Sequence, residues 1–360
     1  MRKLLVGLAL LGLVIGLAWV QHLEEETAPV ISPQVVEPSR EVSLLAVGDI
    51  MLARKVERLV QSHGLDYPFA RIKTKLQSAD ITFGNLESPL SERGASLPGK
   101  GIYFRARPEM SGKLKESGFD VLSVANNHAL DYDTDAFLDT LELLRSSRIE
   151  PVGGGQNINE ARQPVIIEQN GLRVGFLAYT IFADVYYDAR YRRTFRATET
   201  ISGIAPLEQE LILEDLAELR PQVDVAIVSL HWGTEYSRSP EAAQQELGRA
   251  LIDGGADLII GHHPHIIQGF ERYKDGLIAY SLGNFIFDQN QHVFTREGLI
   301  LELKLTRDGL QDLRVWPVFI QESQPYIMQG PEARELLQEV QQLTRNLGTE
   351  STIRDNHLVL

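Results

Sequence analysis

Five apolar segments of this chain each end in side chains that bind metals or move protons. Asp49 follows Leu44-Leu-Ala-Val-Gly48, and Asn85 and Glu87 follow Ile81-Thr-Phe-Gly84. Asn126, Asn127 and His128 follow Val121-Leu-Ser-Val-Ala125, His231 ends Val225-Ala-Ile-Val-Ser-Leu230, and His262, His263 and His265 end Leu258-Ile-Ile-Gly261. Ligands in α/β sheets bind beyond the carboxyl ends of strands, so these ends are expected to meet in one site. Carboxylate, amide and imidazole together suit a divalent Mn, Fe or Zn ion better than Ca or Mg, which avoid imidazole. Each residue taken alone has a plainer explanation. Asp49 can cap a helix at Met51–Val60, Asn127 can occupy a turn, and His231 beside Trp232 can be a hydrogen-bonded core histidine. Three histidines within four positions are harder to account for by packing, since each would need its own buried partner.

The segments that carry these residues alternate with amphipathic ones. Strands are expected at Ser43–Val47, Asp80–Phe83, Asp120–Val124, Val165–Ile167, Arg173–Tyr179, Asp224–Leu230 and Asp257–Ile260, mostly as continuous apolar runs buried on both faces. Helices are expected at Pro68–Gln77, Pro108–Ser117, Asp133–Ser146, Pro206–Leu219 and Pro240–Gly254, with proline near the first turn of several. This order gives an α/β core with crossover connections. Gly276–Ser281, Gly298–Leu305 and Leu313–Phe319 lack intervening helices and read as an antiparallel addition. Glu332–Leu343 reads as a terminal helix before a frayed end.

An apolar fraction of 43% over 360 residues supports a packed core. A net charge of −14 argues against a nucleic-acid partner, and an anionic substrate would need a local cation to meet it. The absence of cysteine removes thiol chemistry, disulfides and thiolate zinc sites. Arg2 and Lys3 precede an uncharged run, Leu4–Val20, and Glu24, Glu25 and Glu26 follow it. That charge order predicts a segment starting in the cytoplasm, with the main domain outside it. At about 17 residues the run is just long enough to span a bilayer, and it lacks an Ala-x-Ala cleavage pattern. An uncleaved membrane anchor is therefore expected over residues 1–21, with a cleaved signal as the alternative. Residues 22–40 read as a linker, 41–322 as the main domain and 323–360 as a helical tail.

Six motifs, in order, resemble the CapA/PgsA-type proteins of poly-γ-glutamate capsule synthesis, a divergent branch of the calcineurin-like metallophosphoesterases. They are Gly48-Asp49-Ile50-Met51, Gly84-Asn85-Leu86-Glu87, Ala125-Asn126-Asn127-His128-Ala129-Leu130-Asp131, His231-Trp232-Gly233-Thr234-Glu235-Tyr236, Gly261-His262-His263-Pro264-His265 and Tyr280-Ser281-Leu282-Gly283-Asn284-Phe285. The resemblance implies a two-sheet β-sandwich flanked by helices. It implies Asp49, Glu87, Asn127, His231, His263 and His265 as metal ligands, with His128 as the catalytic imidazole and Asp131 orienting it. Asn85, Asn126, Glu235, His262 and Asn284 are then expected to line the substrate site. The chain departs from the active superfamily at Met51, where a ligand histidine is expected, and at Asn85, where a bridging aspartate is expected. One metal position should therefore be weak, while the position built from Asn127, His231 and the histidine pair keeps its ion.

Two classes of function follow from the resemblance. One is an accessory component of capsule or related cell-envelope polymer synthesis, export or attachment, with polymer synthase subunits and an anionic polymer as partners. The other is an extracytoplasmic metal-dependent phosphoesterase or amide hydrolase. Arg190, Arg192 and Arg193, in the arginine-rich loop Asp188–Arg196, are candidate anion-binding residues, since guanidinium forks match carboxylates. A solvated surface loop is the alternative reading.

Overall fold

The computed structural model describes residues 41–360, so the expected anchor and linker lie outside the described residues. Among the described residues no helix is long and apolar enough to cross a membrane. The strands are β1 (Val42–Ile50), β2 (Ile81–Leu86), β3 (Val121–Ser123), β4 (Glu150–Val152), β5 (Gly154–Gly155), β6 (Val165–Gln169), β7 (Leu172–Thr180), β8 (Gly203–Ile204), β9 (Val225–His231) and β10 (Leu258–His262). They continue with β11 (Phe270–Tyr273), β12 (Gly276–Ala279), β13 (Asn284–Ile286), β14 (Glu297–Thr306), β15 (Gly309–Gln321), β16 (Gln324–Ile327), β17 (Thr352–Arg354) and β18 (His357–Val359). The longer helices are α1 (Arg54–His63), α2 (Met110–Ser117), α3 (Asp133–Ser146), α4 (Gln209–Leu219), α5 (Ala242–Asp253) and α6 (Gly330–Asn346).

Two mixed sheets form an α/β sandwich. One runs β17-β18-β15-β14-β1-β2-β3-β4, with β13 beside β1 and β16 beside β15; the other runs β11-β12-β10-β9-β7-β6. Strand parity in β9 shows how the layers are built. Val225 and Ile227 enter the core shared with the first sheet, while Ala226, Val228 and Leu230 pack against Ile212 and Leu216 of α4 and Leu251 of α5. His231 has the parity of Val225 and Ile227. Parallel pairing of β9 with β10 places His262 beside His231, so both project toward the space between the sheets.

Several local expectations need correction. The helix after β1 starts at Arg54 with Ala53 as its N-cap and no side-chain cap, so Asp49 does not cap it. Residues 68–77 do not form one helix: a 3₁₀ turn, Tyr67–Phe69, is followed by a single short turn, Lys73–Leu76, which together still bury Phe69, Ile72 and Leu76. β12 runs parallel to β10 and antiparallel to β11, which makes it part of the second sheet's crossover pattern rather than an antiparallel addition. β6 and β7 form a hairpin closed by Asn170 (φ 50°) and Gly171 (φ 75°), two left-handed residues of the kind a tight primed turn requires. The C-terminus does not fray: β17 and β18 form a hairpin that pairs onto β15.

The first sheet and the 280–284 segment approach each other closely beside the strand ends. The Asp49 N–H donates to Gly283 O at 3.0 Å. A Cβ on Gly48 would lie 1.9 Å from Gly283 O, and one on Gly261 would lie 1.9 Å from Tyr280 O. Both glycines immediately precede candidate ligands, and both contacts are with backbone, which cannot give way cheaply. Gly48→Ala or Gly261→Ala is therefore expected to destabilise the fold by about 2–3 kcal/mol or more, by overpacking. Urea unfolding checks this, and a wild-type midpoint in either variant would show that the close approach is not obligatory.

Candidate metal centre

The polar strand ends converge. Asp49, Asn85, Glu87, Asn126, His231, His262 and Asn284 are all at or near zero exposure, and His128, His263 and His265 are buried. Asp49, at the end of β1, lies 3.2 Å from His262 Nδ1 and 3.3 Å from His265 Nδ1. His265 Nε2 is 3.7 Å from Glu87 Oε1. Two groups of ligand atoms arise here, Asp49 with Glu87 and His231, and Glu235 with His263 and His265; within each, the atoms lie within 4.8 Å of one another.

Hydrogen bonds fix the direction of most of these groups. Asn284 Nδ2 donates to Thr295 O at 2.9 Å, so its Oδ1 is the atom 3.0 Å from His265 Nδ1, and His265 Nε2 is left facing Glu87. Asn127 Oδ1 lies 3.0 Å from His231 Nε2, which leaves His231 Nδ1 facing the carboxylates. Asn126 Oδ1 accepts from the His128 backbone N–H at 3.0 Å, and Asn126 Nδ2 donates to Asn85 Oδ1 at 3.1 Å and Leu86 O at 2.8 Å. Asn85 Nδ2 then donates to Asp49 Oδ1 at 2.9 Å.

The electrostatics favour a cation. Burial raises Asp49, but hydrogen bonds from His262 and His265 outweigh it and hold the carboxyl well below its usual range. Burial and the neighbouring Asp49 charge push Glu87 well above its usual range. Burial lowers His265, yet the Glu87 and Asp49 carboxylates outweigh it and carry it up to about 9. His263 is pushed down to about 3 by burial and by His265, so it stays a neutral imidazole with a lone pair to offer. Glu87 Oε1, His262 Nε2 and His263 Nδ1 have no hydrogen-bond partner. Buried carboxylates and imidazoles left unpaired cost several kcal/mol, and a divalent ion would satisfy them. His263 also holds φ 97° and His265 φ 58°, left-handed conformations that histidine rarely adopts. The residues present therefore fit a divalent cation.

Beside this cluster His128 Nδ1 lies 2.6 Å from Asp131 Oδ2 and 3.0 Å from Lys100 Nζ, and its ring stacks on Phe104. Asp131 also pairs with the Lys100 ammonium and accepts from the Phe104 N–H at 2.6 Å. Burial lifts the Asp131 carboxyl to about 7 against the pull of Lys100. Burial and the Lys100 charge together keep His128 well below its usual range. Lys100 escapes sequence reasoning; its one local signal is the pair of glycines around it, Gly99 (φ 78°) and Gly101 (φ 83°). Met51 is fully buried, and its sulfur lies 3.1 Å from the Ala53 N–H.

The remaining candidates are more exposed. Glu235 is exposed, on a loop pinned to the histidine segment by the Tyr236 N–H to Pro264 O bond of 2.9 Å. In the arginine loop, Arg193 donates to Thr194 O and Ser202 O at 2.8 and 2.6 Å and faces Asp133 at 3.6 Å, which commits its guanidinium to protein partners. Arg190 and Arg192 are exposed, with the Arg192 guanidinium 5.8 Å from the Tyr186 ring.

Comparison with known proteins bears on this geometry. Residues 43–289 match the model of the family described as bacterial capsule synthesis protein PGA_cap. The chain is 32% identical to the capsule biosynthesis protein CapA of Bacillus anthracis, over 87% of this chain and 74% of that protein. It is 31% identical to the PGA biosynthesis protein CapA of Bacillus subtilis, over 91% and 84%. Among solved structures, a putative 5'-nucleotidase from Staphylococcus aureus overlaps 86% of this chain and 58% of its own at 14% identity and TM-score 0.46. With the matched region running from β1 through residue 289 and the site just described, the chain belongs to the PGA_cap family of bacterial capsule synthesis proteins.

Proposed function

We propose that this protein is an accessory component of poly-γ-glutamate capsule synthesis, export or attachment, or of a related cell-envelope polymer. In this reading it acts outside the cytoplasm from an N-terminal membrane anchor and presents a metal site of the metallophosphoesterase type to an anionic chain. The observation that carries it is the match to two capsule proteins at 31–32% identity over most of the chain. Polymer synthase subunits are the partners this role requires. Deleting the gene should abolish cell-associated poly-γ-glutamate, and the intact gene should restore it. A deletion strain with normal polymer content removes the proposal.

A divalent ion bound here supplies Lewis-acid polarisation of a phosphoryl or carboxyl oxygen. The chain's own residues do the rest. Asp49, Glu87 and the histidines hold the charge of the site, and Asn284 and Asn127 orient His265 and His231. Lys100 and Asp131 engage His128 at Nδ1, which leaves Nε2 to hold or pass a proton at the edge of the site. That poised imidazole favours a second reading, a metal-dependent phosphoester or amide hydrolase. Turnover of a generic phosphoester by the Mn- or Zn-loaded protein, lost in His128→Ala, would support it.

Two further outcomes are expected. A ligand that binds only the folded state stabilises it, so stripping metal with a chelator should lower the melting temperature by several degrees and adding metal back should restore it. In His263→Ala that response should disappear; a chelator response of full size would exclude His263 as a ligand. For topology, a reporter fused after Leu360 should be active only in the external compartment, because the charges flanking Leu4–Val20 orient the segment that way. Cytoplasmic activity would reverse the assignment.

A further inference from the structure

The two groups of ligand atoms are not equivalent, and the difference lies in Asn85. Its Nδ2 is 2.9 Å from Asp49 Oδ1, 3.5 Å from Glu87 Oε2 and 3.4 Å from His231 Nδ1, which are side chains of the first group. A cation drawn between those atoms would meet the N–H face of an amide, which carries partial positive charge and no available lone pair. The amide cannot simply turn. The His128 backbone N–H can only donate, so Asn126 must offer it Oδ1, and Asn126 Nδ2 must therefore donate to Asn85 Oδ1. One backbone N–H thus sets two side-chain amides in sequence, and the second of them points its donors at the carboxylates.

The other group has the opposite character. His263 Nδ1 is buried with no hydrogen-bond partner, and Glu87, whose Oε2 faces Asn85 in the first group, turns its equally unpartnered Oε1 toward His265 of the second. His265 Nε2 is directed there because Nδ1 is held by Asn284. Its 3.7 Å separation from Glu87 Oε1 is close to the roughly 3–3.6 Å expected between two ligands of one ion with bonds of about 2.0–2.2 Å. Glu235 reaches the same point from the Trp232–Tyr236 loop, with an atom within 4.8 Å of the ligand nitrogens of His263 and His265. Three residues of these two loops, Tyr236 (φ 63°), His263 and His265, adopt left-handed backbone conformations, and the Tyr236 N–H to Pro264 O bond clamps one loop to the other. Strain of this kind persists where surrounding structure enforces a site.

We infer that the centre binds one divalent cation through Glu235, His263, His265 and Glu87, while the Asn85 amide takes the place of a second cation between Asp49 and Glu87. This deepens the metal-site reading above and rests on it. It also reverses the expectation from sequence, in which the filled position includes Asn127 and His231 and Glu235 touches substrate. The occupied position is then the one open to solvent, since Glu235 is exposed and the other three ligands are buried. An anionic polymer can approach the ion from that side.

The test is metal stoichiometry in the full chain, stripped with a chelator and then dialysed against Mn²⁺ or Zn²⁺, with bound metal measured per chain. Wild type should hold one ion, Glu235→Gln should bind it at least tenfold more weakly, and Asn85→Asp should hold two. The two-ion variant loaded with Mn²⁺ should give an exchange-coupled electron paramagnetic resonance spectrum, and the wild type an uncoupled one, since paired ions in such sites lie about 3.5–4 Å apart. Glu235 is exposed, so its Gln variant should fold normally and far-UV circular dichroism will verify it. Wild-type affinity in Glu235→Gln, or two ions in the wild type, overturns the inference. No ion in the wild type at millimolar metal removes the metal-site reading itself, which separates the two failures.

Discussion

Asp49 and Glu87 are carboxylates without exposed surface, held together between two apolar sheets, and the polar architecture around them follows from that placement. Two like charges in a poorly solvated space repel strongly, and each pays a desolvation cost of several kcal/mol. The site answers with donors from every side. His262 and His265 approach Asp49, and Asn85 donates to it. Glu87 keeps one oxygen unpaired, and its elevated pKa marks the charge that remains unbalanced. These carboxylates carry His265 up to about 9 against the effect of its own burial.

The sheets supply the geometry. Parallel pairing of β1 with β2, β2 with β3 and β9 with β10 brings the strand ends to one edge of the sandwich. The register irregularity in β1 between Ala46 and Asp49 lets that strand bend toward Gly283 and pair with β13, which brings Asn284 level with Asp49. Gly48 and Gly261 permit this approach, because a side chain at either position would collide with carbonyl oxygen. The functional motifs therefore pair a glycine that allows contact with a polar residue that exploits it.

What can be read from the sequence is the part whose signal is contiguous. An apolar run that ends in Asp, Asn or His gives the strand, its direction and the polar residue at its end together, which is why the convergence of Asp49, Glu87, His231 and the 262–265 histidines is legible. Lys100 is not, because the long segment between β2 and α2 has neither helical nor strand period and only tertiary contact brings its ammonium to Asp131. The β17–β18 hairpin is hidden for a similar reason: its strands are three residues each, and pairing with β15 rather than local propensity stabilises them. The hairpin at Asn170-Gly171 was signalled by its turn residues, yet strand alternation alone suggests a crossover there. Met51 shows the limit of motif comparison. Its place in the motif marks a missing imidazole, but only the structure shows its sulfur turned to the Ala53 N–H.

Orientation is the other quantity a sequence does not carry. From the sequence Asn85 reads as a departure from a bridging aspartate and as a residue lining the substrate site, with nothing to say which of its amide atoms faces the carboxylates. In the folded chain its oxygen is committed to Asn126, whose own direction is set by the His128 N–H. The Asn126-Asn127-His128 turn thus does more than present His128 at the site edge. It dictates, through two amides, which atom faces Asp49, and a residue two positions from the imidazole controls the charge that the buried carboxylates meet. The same turn therefore holds His128 at the site edge and, through Asn126, fixes the Asn85 amide beside Asp49.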